Sequence, residues 1–147
     1  MKDVAPKYTM FVVPTDQVLS AWHVARELLV KGIGRSSGRW NLEYVLAELV
    51  LGRQSLWLVR EKDGDIVGAA TLGICQYPNR RMLSMHFLGG KELDKWYSEV
   101  AETIFQYGRD SGCTAIETIG REGLWKYYQT SGFKKNGVCY ELELRTE

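Results

Sequence analysis

Asp63-Gly64 stands between two apolar runs, Ser55 to Arg60 and Ile66 to Gln76. An Asp-Gly pair in that setting accepts the positive φ angles of a tight hairpin turn, so two antiparallel strands are predicted side by side. Tyr77-Pro78-Asn79 predicts a second turn, with the proline presetting φ, and Arg81 to Leu88 returns as a third strand. Such a meander needs cover on its faces, and the flanking segments have the period of helices. Upstream, Tyr8 to Val13 predicts a first strand. Thr15 or Asp16 can cap a helix carrying Val18, Trp22, Ala25, Leu28 and Leu29. Lys31 to Trp40, rich in glycine and serine, reads as a loop, and Asn41 caps a second helix with Leu42, Val45, Leu46 and Leu49, stopped by Gly52.

Downstream, Glu92 to Ser111 sets Leu93, Trp96, Val100, Ile104 and Tyr107 on one helical face, with Gly112 past its end. Thr114 to Ile119 predicts a strand, Gly123 to Ser131 a short helix, and Phe133 to Leu144 a final strand or bent pair of strands. The predicted class is α/β (an α+β mixed sheet) in the order β-α-α-β-β-β-α-β-α-β. A β-α-β crossover joined to an antiparallel meander makes such a sheet mixed.

The 147 residues suit one domain over 1–147, with 45% apolar and 25% charged side chains. A net charge of +1 gives no field that would draw the chain to nucleic acid, so no nucleic-acid partner is expected. Residues 1–6 are polar, and no apolar run approaches the roughly 20 residues of a membrane span, so no membrane partner is expected. Cys75, Cys113 and Cys139 lie far apart, without metal-ligand or dithiol spacing. Their odd number suits a reducing, cytoplasmic setting, and no metal is expected.

Between Gly120 and Phe133 the chain reads as strand end, short helix, glycine stop and new strand. Tyr128 stands four residues before Gly132-Phe133. This Tyr-x-x-x-Gly-Phe ending, with the order of elements over nearly the whole chain, resembles the GNAT superfamily of N-acetyltransferases. A narrower set of motifs is similar to GNAT-like proteins of tailed phages and prophages. These are Ser37-Gly38-Arg39-Trp40, Leu56-Trp57-Leu58-Val59, Tyr77-Pro78-Asn79-Arg80-Arg81, Leu88-Gly89-Gly90, Trp96, Gly112-Cys113 and Gly120-Arg121. The resemblance implies acyl-CoA-dependent N-acyltransfer to an amine acceptor, with acetyl-CoA as cofactor, in a bacterial host cytoplasm. It also admits a non-catalytic, virion-associated binding or assembly module with a phage or host protein as partner. Exposed Trp40 or Trp125 would then mark the interface.

In the resembled family a loop between the fourth strand and third helix holds the cofactor pyrophosphate on unpaired amides at a helix N-terminus. Here Phe87, Leu88, Gly89, Gly90 and Lys91 stand at that place and are the candidates to hold pantetheine and pyrophosphate. The family pattern Arg/Gln-x-x-Gly-x-Gly/Ala is replaced by Gly89-Gly90-Lys91-Glu92-Leu93-Asp94. Acidic Glu92 and Asp94 suit a helix N-terminus that binds no anion, so a plain strand-to-helix turn is the other reading. Arg121 takes the place of an asparagine that often contacts pantetheine.

Tyr128 matches the family's general acid, which returns a proton to the departing thiolate; it can also be a packing aromatic. His86 is the candidate base, by its pKa range and its place before the loop, or else a structural histidine. Glu117 in the neighbouring strand is a similar candidate. His23 falls on the polar face of the first helix. Lys31, Arg35 and Arg39 lie where the family lines its acceptor groove and would favour an acidic acceptor; a solvated loop is the alternative. Arg80-Arg81 reads as an exposed hairpin tip.

Overall fold

The computed structural model describes residues 6–120 and 122–145. It contains strands β1 (Tyr8–Val13), β2 (Ser55–Glu61), β3 (Ile66–Gln76), β4 (Arg81–Gly90) and β5 (Ala115–Thr118). The helices are α1 (Val18–Gly34), α2 (Leu42–Val50), α3 (Leu93–Asp110) and α4 (Trp125–Thr130). The sheet order is β1-β2-β3-β4-β5, antiparallel except for the β4–β5 pair, which is parallel. The predicted mixed α/β class is what the chain adopts.

The alternation of each strand divides the apolar residues between two cores. Leu56, Leu58 and Ala69 face α1 and α2, packing on Val18, Ala25, Leu29, Ile33, Val45 and Leu49. Trp57, Val59, Ala70, Leu72, Leu83 and Met85 face α3 and α4, packing on Trp96, Val100, Ile104, Leu124 and Tyr128. Trp96 is wholly buried, and its indole N–H donates to Lys91 O at 2.8 Å, which pins the β4–α3 turn to the core.

The Asp63-Gly64 turn forms as expected, with Asp63 at φ 56°. Asn41 caps α2 by accepting the Tyr44 amide at 2.8 Å. Three expectations differ. Neither Thr15 nor Asp16 caps α1: both lie in a single 3-10 turn, Thr15–Gln17, and the helix begins without a side-chain cap. Next, α1 runs past Lys31 to Gly34, because burying Ile33 one turn beyond Leu29 outweighs the poor helix propensity of Gly32 and Gly34.

The third difference is the predicted last strand, since residues 133–145 have no regular structure. Phe133 is drawn under the sheet, 5.2 Å from the Tyr128 ring, and Gly137 turns the chain at φ 91°. Arg39 then holds Glu141 at 2.8 Å, so the segment leaves along the α1–α2 connection rather than along β5. Among the described residues no helix is long and apolar enough to cross a membrane.

Candidate active site

β4 and β5 run together only from Met82↔Ala115 to Met85↔Thr118. Beyond that pair β4 continues to Gly90 against β3 alone, while the other chain ends its strand and enters Ile119 and Gly120. The Thr118 hydroxyl donates to Met85 O at 2.8 Å, at the point of parting. A strand paired on one side presents unpaired N–H and C=O groups on the other. Among the described residues the stretch from His86 to Gly90 therefore carries a backbone edge with no strand paired to it.

A β-bulge lies at the same point. Thr71 pairs with Phe87 and Leu72 with Met85, leaving His86 as the extra residue on β4. Bulges re-aim side chains. Here His86 and Phe87 both turn toward the α1–α2 connection, where Trp40 meets them edge-on at 5.7 and 6.4 Å between ring centroids. Burial pushes the His86 imidazole below its ordinary pKa, while the nearby Glu117 and Glu48 carboxylates pull it back up. A neutral imidazole at physiological pH is the result, the form able to accept a proton.

Tyr128 lies in the α3–α4 core, 6% exposed, against Tyr97 and Phe133. Its ring bounds Gly120, and its hydroxyl lies within reach of the Thr118 side chain. Burial pushes this phenol up to about 12, an effect Thr118 partly offsets, so it stays protonated at neutral pH. The Tyr128 ring packs in this core, and its hydroxyl lies beside Thr118, the last residue of β5.

Gly89 and Gly90 stand in β4, paired with Ala69 and Gly68, rather than in a free loop. A Cβ on Gly89 would collide with Leu28 O of α1, and one on Gly90 with Val67 O of β3. Close backbone packing accounts for both glycines. The Lys91 amide donates to Val67 O at 2.8 Å, and the Lys95 ammonium holds Glu92 at 3.1 Å. Leu88 is buried in the α3–α4 core. Arg121 lies outside the described residues.

Glu117, named with His86 from the sequence, lies on the same face in a polar cluster whose other members, Ser84 and Tyr77, local sequence did not indicate. Glu117 pairs in register with Ser84 and accepts its hydroxyl at 2.6 Å. Tyr77 reaches across from the β3–β4 turn to donate to Glu117 at 2.7 Å, and this bond raises the Tyr77 phenol above its ordinary pKa. Tyr44 is likewise raised, first by its hydrogen bond to Glu48. Only the β4–β5 register, set over some thirty residues, brings these groups together. His23 is exposed, as expected. Lys31 belongs to the last turn of α1, and Arg39 is engaged with Glu141. Among the described residues no group of three His, Cys, Asp or Glu could hold a metal ion.

No family model matches the sequence, and no curated protein matches it. Solved structures do. An aminoglycoside acetyltransferase from an uncultured soil metagenomic sample superposes with a TM-score of 0.70 at 11% identity, covering 94% of this chain and 99% of that one. The chain has the GNAT acetyltransferase fold. An acetyltransferase of Trypanosoma brucei gives 0.62 at 14% identity over 93% of this chain and 99% of its own. The aminoglycoside N-acetyltransferase AAC(6')-Iy, in complex with CoA, gives 0.66 at 12% identity over 99% and 100%. In this GNAT-fold chain His86 follows Met85 on the α1–α2 side of the sheet, and Tyr128 adjoins Thr118 and Gly120 on the α3–α4 side.

Proposed function

We infer that the protein is an acyl-CoA-dependent N-acyltransferase, a single domain over 1–147 that transfers an acyl group to an amine. The observation that carries this reading is the parting of β4 from β5 at Met85 and Thr118, with the Tyr128 hydroxyl beside it. An extended chain with amides of its own can add to a free strand edge by backbone hydrogen bonds. Pantetheine is such a chain, and the edge from His86 through Phe87 and Leu88 would hold it. The bound cofactor supplies the acyl group as an activated thioester.

His86, neutral and re-aimed by the bulge, accepts a proton from the attacking amine. Tyr128 keeps its proton at Oη and offers it where a thiolate would leave. Trp40 and Phe87 exclude water from the side of α1 and α2.

The pyrophosphate end fits less well. Gly89, Gly90 and Lys91 are committed to β3, so the first-turn amides of α3 would have to bind the phosphates, with Glu92 and Asp94 opposing them. That observation favours a second reading, a non-catalytic GNAT-fold binding module, which the resemblance to phage and prophage proteins would assign to virion assembly.

Thermal denaturation with acetyl-CoA separates the two. A ligand at 100 times its Kd stabilises the native state by about 2.7 kcal/mol, which raises Tm by roughly 5–10 °C in a chain of this size. A rise of that order supports the transferase; no rise at millimolar acetyl-CoA leaves the module.

A further inference from the structure

Residues 138–144 have the pattern of a strand and no sheet to join. Arg39 Nη2 donates to Cys139 Sγ at 3.7 Å and meets Glu141 at 2.8 Å. Residues two apart share a face of an extended chain, so the odd-numbered side chains lie on the chain's own α1–α2 connection. The even-numbered ones, Val138, Tyr140, Leu142 and Leu144, are 76–91% exposed. Among the described residues, 134–145 make no backbone–backbone hydrogen bond. A bare backbone beside a row of large apolar side chains is the edge that natural proteins cover.

An independent observation supplies the receiver. β5 pairs with β4 on one side, and among the described residues no strand pairs with its other side. All four β5 residues are only partly buried, and Ile119, next in the chain, is 93% exposed. The opposite sheet edge, β1, differs, since its Tyr8, Met10 and Val13 are already buried. The chain's own segment is held on Arg39 and makes no pairing with β5. A second copy can bring the missing strand to β5 while each segment keeps its Arg39. At roughly 150 Å² for each of these exposed apolar side chains, two copies offer on the order of 1,500 Å², the area of a standard specific interface.

We propose that the chain forms a two-fold dimer in which residues 138–144 of each copy pair as a strand with the β5 edge of the other and cover Ile119. Each copy gives one segment and receives one, so the assembly closes at two. Backbone hydrogen bonds supply the pairing, as in any strand added to a free edge, and the even-numbered side chains supply the apolar contact. The dimer does not depend on the acyltransferase reading.

The test is sedimentation equilibrium of the full chain over a range of concentrations. The expected mass is twice that of the 16.8 kDa chain, with a Tm that rises with concentration. Leu142→Lys should weaken the dimer at least about thirtyfold, as loss of a central apolar contact does. Leu142 is 82% exposed in the single copy, so the variant should keep the native Tm at high dilution. A monomer at millimolar concentration, or a dimer that Leu142→Lys leaves as tight, would overturn the proposal. If Leu142→Lys does not fold, isotope-filtered NMR on a mixture of labelled and unlabelled native chains decides. Contacts from Ile119 to residues 138–144 should run between copies; contacts confined to one copy would show the segment folded on its own β5 and contradict the exchange.

Discussion

The Thr118 hydroxyl donates to Met85 O at 2.8 Å, and these two residues are the final register pair of β4 and β5. Past them the strands part, so this bond sits at the apex of the candidate cofactor slot. Thr118→Val keeps the shape and removes the bond. Leaving the Met85 carbonyl short of a partner should cost about 1–3 kcal/mol, a fall in Tm of roughly 2–10 °C. A calorimetric scan checks it, and an unchanged Tm would show that other contacts hold the apex.

Gly89 is a packing residue. A methyl there meets Leu28 O of α1, a backbone atom that cannot rotate away. Gly89→Ala should therefore lower stability by about 1–3 kcal/mol or more, in urea denaturation, with no ligand present. The same argument applies to Gly90 against Val67 O, so loss of cofactor binding in a Gly90 variant would report on folding.

The buried imidazole makes stability depend on pH. Burial lowers the folded pKa of His86 below its unfolded value near 6.5. On acidification the unfolded chain takes up this proton first. The contribution of neutral His86 is thus present above about pH 6.5 and lost as pH falls through the folded pKa. Tm of the native chain should drop more steeply between pH 7 and pH 5 than that of His86→Gln. Parallel curves would contradict this.

The Arg39–Glu141 bridge is exposed on both sides, at 48% and 44% of each side chain. Exposed pairs contribute little, so Glu141→Gln should change global stability by less than about 1 kcal/mol. Its effect should appear instead as faster hydrogen exchange in residues 138–144.

Local chemistry was legible wherever the cause was local. Asp63-Gly64 made its hairpin and Asn41 its cap, because a turn or cap needs only its own few residues. The alternation of Val138, Tyr140, Leu142 and Leu144 shows the limit of such patterns. It states that a segment can be a strand, but not that an edge receives it, and all four side chains are exposed. Likewise Gly89-Gly90 carried a correct signal of close backbone approach. In the structure α1 and β3 stand where a side chain on either glycine would go. Tyr128 and His86 were identifiable as single residues. Where each side chain is aimed was not, since that depends on the β4–β5 register and on one bulge. Glu117 with Tyr77 lies further still from local reading, a contact across 40 residues.

The central claim is that the free edge from His86 to Gly90 receives an extended ligand between the parted strands. Amide hydrogen exchange with and without acetyl-CoA tests it most directly. The account predicts added protection at His86, Phe87 and Leu88 and around Ile119 and Gly120, retained in Tyr128→Phe while turnover falls at least about a hundredfold. Protection confined to other surfaces, or none at millimolar acetyl-CoA, would contradict it.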